Sequence, residues 1–130
     1  MNGASALGTT VLLVEDDLDI QEVLADVLTE VGYQVSIASE GREALAFLKS
    51  RPQPAVILLD LMMPGMDGYA FRTAQMAEPG LAKIPVIVIT AQREIRGDTF
   101  DSADVLAKPI KLATLLAAIE RVKHRTASEG

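Results

Sequence analysis

Cysteine is absent from this 130-residue chain, and histidine occurs once, as His124. Without thiols there is neither a disulfide framework nor a thiolate metal site. Long apolar runs are missing as well. No segment approaches the roughly 20 residues needed to span a bilayer, so no membrane insertion is expected. The opening stretch, Met1 to Thr10, has no basic n-region and no sustained apolar core, and is not expected to act as a signal peptide. Basic residues are outnumbered 12 to 18, and the net charge of −6 argues against a nucleic-acid or polyanion binder. What is present is an ordinary balance of 49% apolar and 23% charged residues, in a length that suits one domain with a substantial core. A soluble, cytoplasmic domain is the expectation these absences leave.

The chain is organised around the stretch from Val56 to Gly68. Val56, Ile57, Leu58 and Leu59 are uninterrupted large apolar side chains, and Pro64, Gly65 and Gly68 soon follow. A short apolar run closed by turn residues reads as a strand buried on both faces. Asp60 sits at its C-terminal end, on the edge where open α/β sheets bind ligands. A carboxylate there is costly unless something pairs with it, so the rest of the chain must supply a partner.

Residues 1–9 are small and polar and read as a flexible tail. Val11 to Val14 is a buried strand that runs into Glu15, Asp16 and Asp17. Ile20, Val23, Leu24, Val27, Leu28 and Val31 recur at helical spacing, and Gly32 ends that helix as a C′ residue would. Val35 and Ile37 alternate with polar neighbours, as in a strand nearer the sheet edge. Arg42 to Lys49 is a second helix, closed by Pro52 and Pro54. Asp67 is placed to cap a third helix through about Ala77, which Pro79 and Gly80 break. Pro85 to Thr90 is another buried strand. Gln92 to Ser102 is short, polar and contains Gly97, so its helix is expected to be weak or frayed. Val105 to Ala107 is a brief fifth strand, and a last helix carries Leu112, Leu115, Leu116, Ile119 and Val122. The folded domain therefore spans 10–124, with a polar tail at 125–130. His124, between Lys123 and Arg125, is expected on the surface and not as a phosphodonor.

Five strands alternating with helices predict an α/β fold, a doubly wound parallel sheet in a three-layer sandwich. In a parallel sheet the strand ends share one edge. Glu15, Asp16, Asp60, Thr90 and Lys108 all lie at such ends, so they should converge, with Asp17 more peripheral. Two carboxylates about 5 Å apart repel by roughly 3 kcal/mol at an effective dielectric near 20, so a cation is needed among three of them. An all-oxygen set selects a hard ion, Mg2+ or Mn2+, before zinc. Acids, metal, ammonium and hydroxyl together are equipped for phosphoryl transfer, with Asp60 as nucleophile forming an acyl phosphate.

Four motifs, VLLVEDD, LLDLMMPGMDG, VIVITA and LAKP, stand in that order at strand ends. Together they closely resemble the receiver domain of two-component response regulators, from about Thr10 to Lys123. The resemblance implies a flavodoxin-like sheet in the order 2-1-3-4-5. It implies that Asp60 is the phosphoacceptor, supplied from a phosphohistidine on a sensor histidine kinase or a histidine phosphotransfer protein. Asp16 would ligate Mg2+ directly and Glu15 mostly through water, with Asp60 and the backbone carbonyl of Met62 as the remaining protein ligands. Thr90 and Lys108 would contact the phosphoryl oxygens, and the Lys108–Pro109 bond would be cis. The implied protein is a single-domain response regulator and not an enzyme, beyond self-phosphorylation from small phosphodonors and slow autodephosphorylation. It would signal to an unknown downstream protein by phosphorylation-dependent binding, or act within a phosphorelay.

Two departures from the family fall on the output side. The family places Tyr or Phe three residues before the lysine, where this chain has Val105. Valine is stiff about χ1 and has no ring to swing inward. Thr90 and Lys108 are 18 residues apart, short of the family's spacing by about one turn of the fourth helix. A non-standard output through loop or helix disorder is the expectation. A degenerate receiver serving as a docking module is the alternative. A phosphatase is disfavoured, because Met62 stands where a second acid would be needed.

Overall fold

The computed structural model describes residues 9–50, 52–92, 94–100 and 103–129, with the backbone alone from 124 onward. The expected tail at 1–8 and the side chain of His124 lie outside the described residues. The elements are β1 (Thr10–Val14), α1 (Leu18–Val31), β2 (Gln34–Ala38), α2 (Gly41–Ser50), β3 (Val56–Asp60), α3 (Gly68–Met76), α4 (Pro79–Ala82), β4 (Val86–Thr90), β5 (Asp104–Ala107) and α5 (Leu112–Glu129). The strands form one parallel sheet in the order β2-β1-β3-β4-β5. This is the flavodoxin-like topology. No helix of the described residues is long and apolar enough to cross a membrane.

The apolar strands are split between two cores by their period of two. Leu12, Val14, Ile57, Leu59 and Val88 face α2, α3 and α4, with Phe71 and Leu81 packed on them. Val11, Leu13, Leu58, Ile87 and Ile89 face α1 and α5, against Leu24, Leu28, Leu115 and Ile119. β3 and β4 are buried along their whole length, whereas β2 and β5 are half exposed. That difference follows from position, since β2 and β5 are the edges.

Local signals account for most boundaries. Asp17 caps α1 by accepting from the amides of Asp19 (2.9 Å) and Ile20 (3.1 Å). Gly32 ends α1 with φ at 115°, a left-handed value that glycine adopts without strain. Asp67 caps α3 by accepting from the Ala70 amide at 2.9 Å.

Three expectations are corrected. Pro79 and Gly80 do not simply break a helix: they begin the single turn of α4, because proline at the first helical position loses no hydrogen bond. Between β4 and β5 no described residue is helical. Gly97 there adopts φ of 66°, a turn conformation incompatible with a right-handed helix. Lastly, α5 continues to Glu129, so residues 125–129 are helical in backbone where a polar tail was expected. An established helix extends readily through Arg, Ala and Glu.

The loop after β3 returns tightly on itself. The Gly68 amide donates to the Leu61 carbonyl at 3.0 Å, and a Cβ at Gly68 would lie 2.7 Å from both the Asp60 carbonyl oxygen and Leu61 Cα. Glycine is required here by proximity. Gly68→Ala is therefore expected to destabilise the domain by about 1–3 kcal/mol. Gly80→Ala, where nothing lies within 4 Å, is expected to be neutral or slightly stabilising. Urea unfolding of the two variants checks the contrast, and equal effects would remove the steric account.

Candidate functional site

Asp60 is the last residue of β3, Thr90 the last of β4, and Lys108 follows β5 directly. Glu15 and Asp16 follow β1, and the Glu15 amide donates to the Ala38 carbonyl at the end of β2 at 3.0 Å. Parallel pairing aligns these ends: Asp60 stands beside Ile89, and Thr90 beside Ala107. The expected convergence is present for the acids and the lysine. One oxygen each from Glu15, Asp16 and Asp60 lies within 4.8 Å of the others. Lys108 Nζ sits 3.1 Å from Glu15 Oε1 and 3.6 Å from Asp60 Oδ2.

The site is nearly dry except at its rim. Glu15 is 2% exposed, Asp60 5% and Thr90 1%, while Asp16 is exposed. Burial of Glu15 outweighs the Asp17 amide that its Oε2 accepts at 3.1 Å, and Asp60 adds repulsion. Its carboxyl is pushed up from 4.5 to about 7. For Lys108 burial works downward, but the hydrogen bond it donates to Glu15 and the charge of Asp60 prevail and hold its ammonium above the usual lysine value. One ammonium is thus shared by the two buried acids, with Asp16 close by at the solvent rim.

That donor set fits a hard divalent cation. It is all oxygen, two of its carboxylates are buried, and the third opens to solvent, where waters could complete an octahedral shell. Met62 borders the set through its backbone, since its amide donates to Asp60 Oδ1 at 3.3 Å. Its side chain points to solvent, 56% exposed.

Thr90 shares the edge, but its hydroxyl is engaged by the Gln92 amide, which donates to Oγ1 at 3.0 Å. Two further polar residues belong to the surroundings and are not visible as motifs. Gln21, on the face of α1 read as apolar, is buried, and its amide donates to the Glu15 carbonyl and to Ser39 Oγ (3.3 Å). The signal for Gln21 was only its place one turn into α1, level with the buried stripe. Gln92 accepts from the Tyr69 hydroxyl at 2.9 Å, which joins α3 to the segment after β4.

Glu15 sets the pH response of the metal-free protein. Between 4.5 and about 7 the folded state holds a proton that the unfolded chain has released, so stability falls as pH rises through that window. The full loss is about 3 kcal/mol. Glu15→Gln, which keeps the uncharged form, is expected to flatten this part of the profile in urea unfolding with chelator present. An unchanged slope would show that Glu15 is ionised throughout.

Comparison with known proteins agrees with the geometry. The model of the response regulator receiver domain matches residues 11–120. The Escherichia coli transcriptional regulatory protein HprR is 36% identical over 117 residues, covering 84% of this chain and 49% of HprR. The chain spans about half the length of the first curated relatives it matches. It covers 90% of a probable chemotaxis protein CheY of Rhizobium etli, at 34% identity and 86% of this chain. The receiver domain of the Pseudomonas aeruginosa sensor histidine kinase PA1611, solved with a magnesium ion in its active-site cleft, is 31% identical with a TM-score of 0.79. The match covers 90% of this chain and 98% of that one. The chain belongs to the receiver domain family of two-component response regulators.

Proposed function

We propose that Asp60 accepts a phosphoryl group from a phosphohistidine of a sensor histidine kinase or a histidine phosphotransfer protein. The observation that carries this reading is the cluster of Glu15, Asp16 and Asp60, with oxygens within 4.8 Å and Lys108 reaching Asp60 at 3.6 Å. A carboxylate oxygen of Asp60 attacks phosphorus, the P–N bond to the imidazole breaks, and the nitrogen keeps that electron pair. The product is an acyl phosphate on Asp60.

The chain's own residues hold the pieces. Asp16, Asp60 and the backbone carbonyl of Met62 would ligate Mg2+, with Glu15 acting through water and Mn2+ as a substitute. The cation, when bound, offsets charge on the transferring oxygens. Lys108 is already held within reach of Asp60 by Glu15, so its ammonium is positioned before the phosphoryl group arrives. Thr90 donates its hydroxyl hydrogen to a phosphoryl oxygen, a capacity that the Gln92 amide, as a donor to Oγ1, does not use. The domain works in the cytoplasm and signals by phosphorylation-dependent binding of a protein partner or by relay, with slow autodephosphorylation.

Intact mass after incubation with Mg2+ and acetyl phosphate tests the reading. One added phosphoryl group on the parent and none on Asp60→Asn is expected. No adduct on the parent would favour a docking module, and an adduct that persists on the variant would place the acceptor elsewhere. The cation has its own test. Mg2+ is expected to raise the unfolding temperature well above pH 7, and to lose most of that effect well below it as the Glu15 proton competes. An increment independent of pH would remove Glu15 from any role in holding the cation.

A further inference from the structure

In this chain β5 carries Val105, 44% exposed, and no described residue between β4 and β5 is helical. The segment after Thr90 is tied down in another way, by an aromatic residue on α3. The Tyr69 hydroxyl donates to Gln92 Oε1 at 2.9 Å and accepts from the Arg96 amide at 3.1 Å. The Arg96 guanidinium lies 4.3 Å over the Tyr69 ring. Phe100, buried on the same core, meets that ring edge to face at 5.7 Å and 64°. Tyr69 thus touches the segment at three places, and the first of them, Gln92, also donates its amide to Thr90 Oγ1 at 3.0 Å.

We propose that Tyr69 is the residue through which Thr90 controls the segment from Glu94 to Phe100. A phosphoryl group that accepts from the Thr90 hydroxyl and draws the side chain round about χ1 carries Oγ1 away from the Gln92 amide, which then loses its acceptor. The turn at Gln92 then shifts, its side chain leaves the Tyr69 hydroxyl, and the Arg96 and Phe100 contacts loosen with it. This inference rests on the phosphoacceptor reading of Asp60. Release is favoured by a neighbour of the latch. The buried Arg72 guanidinium lies 5.9 Å from the Phe100 ring, its NH1 donates to Gln75 at 2.9 Å, and its Nε has no partner among the described residues. An unsatisfied buried donor gains hydration when the cover opens. Opening also bares Phe100 and the Tyr69 ring, an apolar and aromatic surface that a protein partner can read only in the phosphorylated state.

Hydrogen exchange on the full chain, in Mg2+ with and without beryllium fluoride as phosphoryl mimic, tests the latch. Amides from Glu94 to Phe100 are expected to exchange about fivefold to tenfold faster with the mimic, the equivalent of one lost hydrogen bond. Tyr69→Phe keeps the ring and removes the hydroxyl, so it should show the fast rate without the mimic and little further change. Gln92→Ala should behave the same way, whereas Gln92→Glu, which keeps the acceptor, should restore the parental response. Tyr69→Phe should still take one phosphoryl group in the intact-mass assay, since Tyr69 touches none of the site acids. Parental exchange rates in Tyr69→Phe, or an unresponsive segment in a parent that does take the phosphoryl group, would overturn the latch alone. Absence of any adduct on the parent would overturn the phosphoacceptor reading and the latch with it.

Discussion

The electrostatic frustration at the sheet edge is the constraint on which the rest depends. Glu15 and Asp60 are buried beside each other, Asp16 stands within reach of both, and Lys108 is the ammonium that touches the buried pair. Like charges in a dry pocket are tolerated only when the surrounding structure holds them there. The tight β3–α3 turn through Gly68, the Asp17 amide on Glu15, and Gln21 beneath the Glu15 carbonyl all hold the acids from behind. The stored repulsion is of the kind that a cation among the three acids would relieve.

The two cores divide the labour. On one face α1 and α5 clamp the sheet, and Tyr33 donates to Glu120 at 2.7 Å, with Lys123 bridging to Glu120 at 2.8 Å. On the other face α2 and α3 do the same, but beyond α4 the cover is a segment without regular structure, seated by Ile95 and Phe100. The face with less secondary structure is the one linked to Thr90. Fewer backbone hydrogen bonds within the segment mean that side-chain contacts to α3 carry its order, and such contacts respond to a single lost partner.

Much of this was legible in the chain. Buried strands announce themselves as apolar runs, caps as Asp17, Gly32 and Asp67, and the convergence of Asp16, Asp60 and Lys108 follows once the strands are parallel. The errors have local causes. The stripe on α1 assigned Val23 and Val31 to the core, yet they are 54% and 45% exposed, while Gln21 is buried because the Glu15 carbonyl needs a donor. Helical period identifies a face, but which edge of that face sinks deepest depends on the neighbouring strand. Gly97 and the polar run around it pointed to a weak helix, and a turn is what that composition supports.

By itself the sequence determined the number and kind of strands, their parallel wrapping, and which charged groups reach a common edge, because these follow from local periodicity and from the geometry that parallel crossovers impose. Only the tertiary structure decided that Lys108 leans more closely on Glu15 than on Asp60, that burial drives the Glu15 carboxyl toward neutrality, and that Tyr69 meets Gln92 across 23 positions of chain. Those outcomes depend on side-chain distances of a few ångströms and on exclusion of water, and both are set by how separate elements pack together.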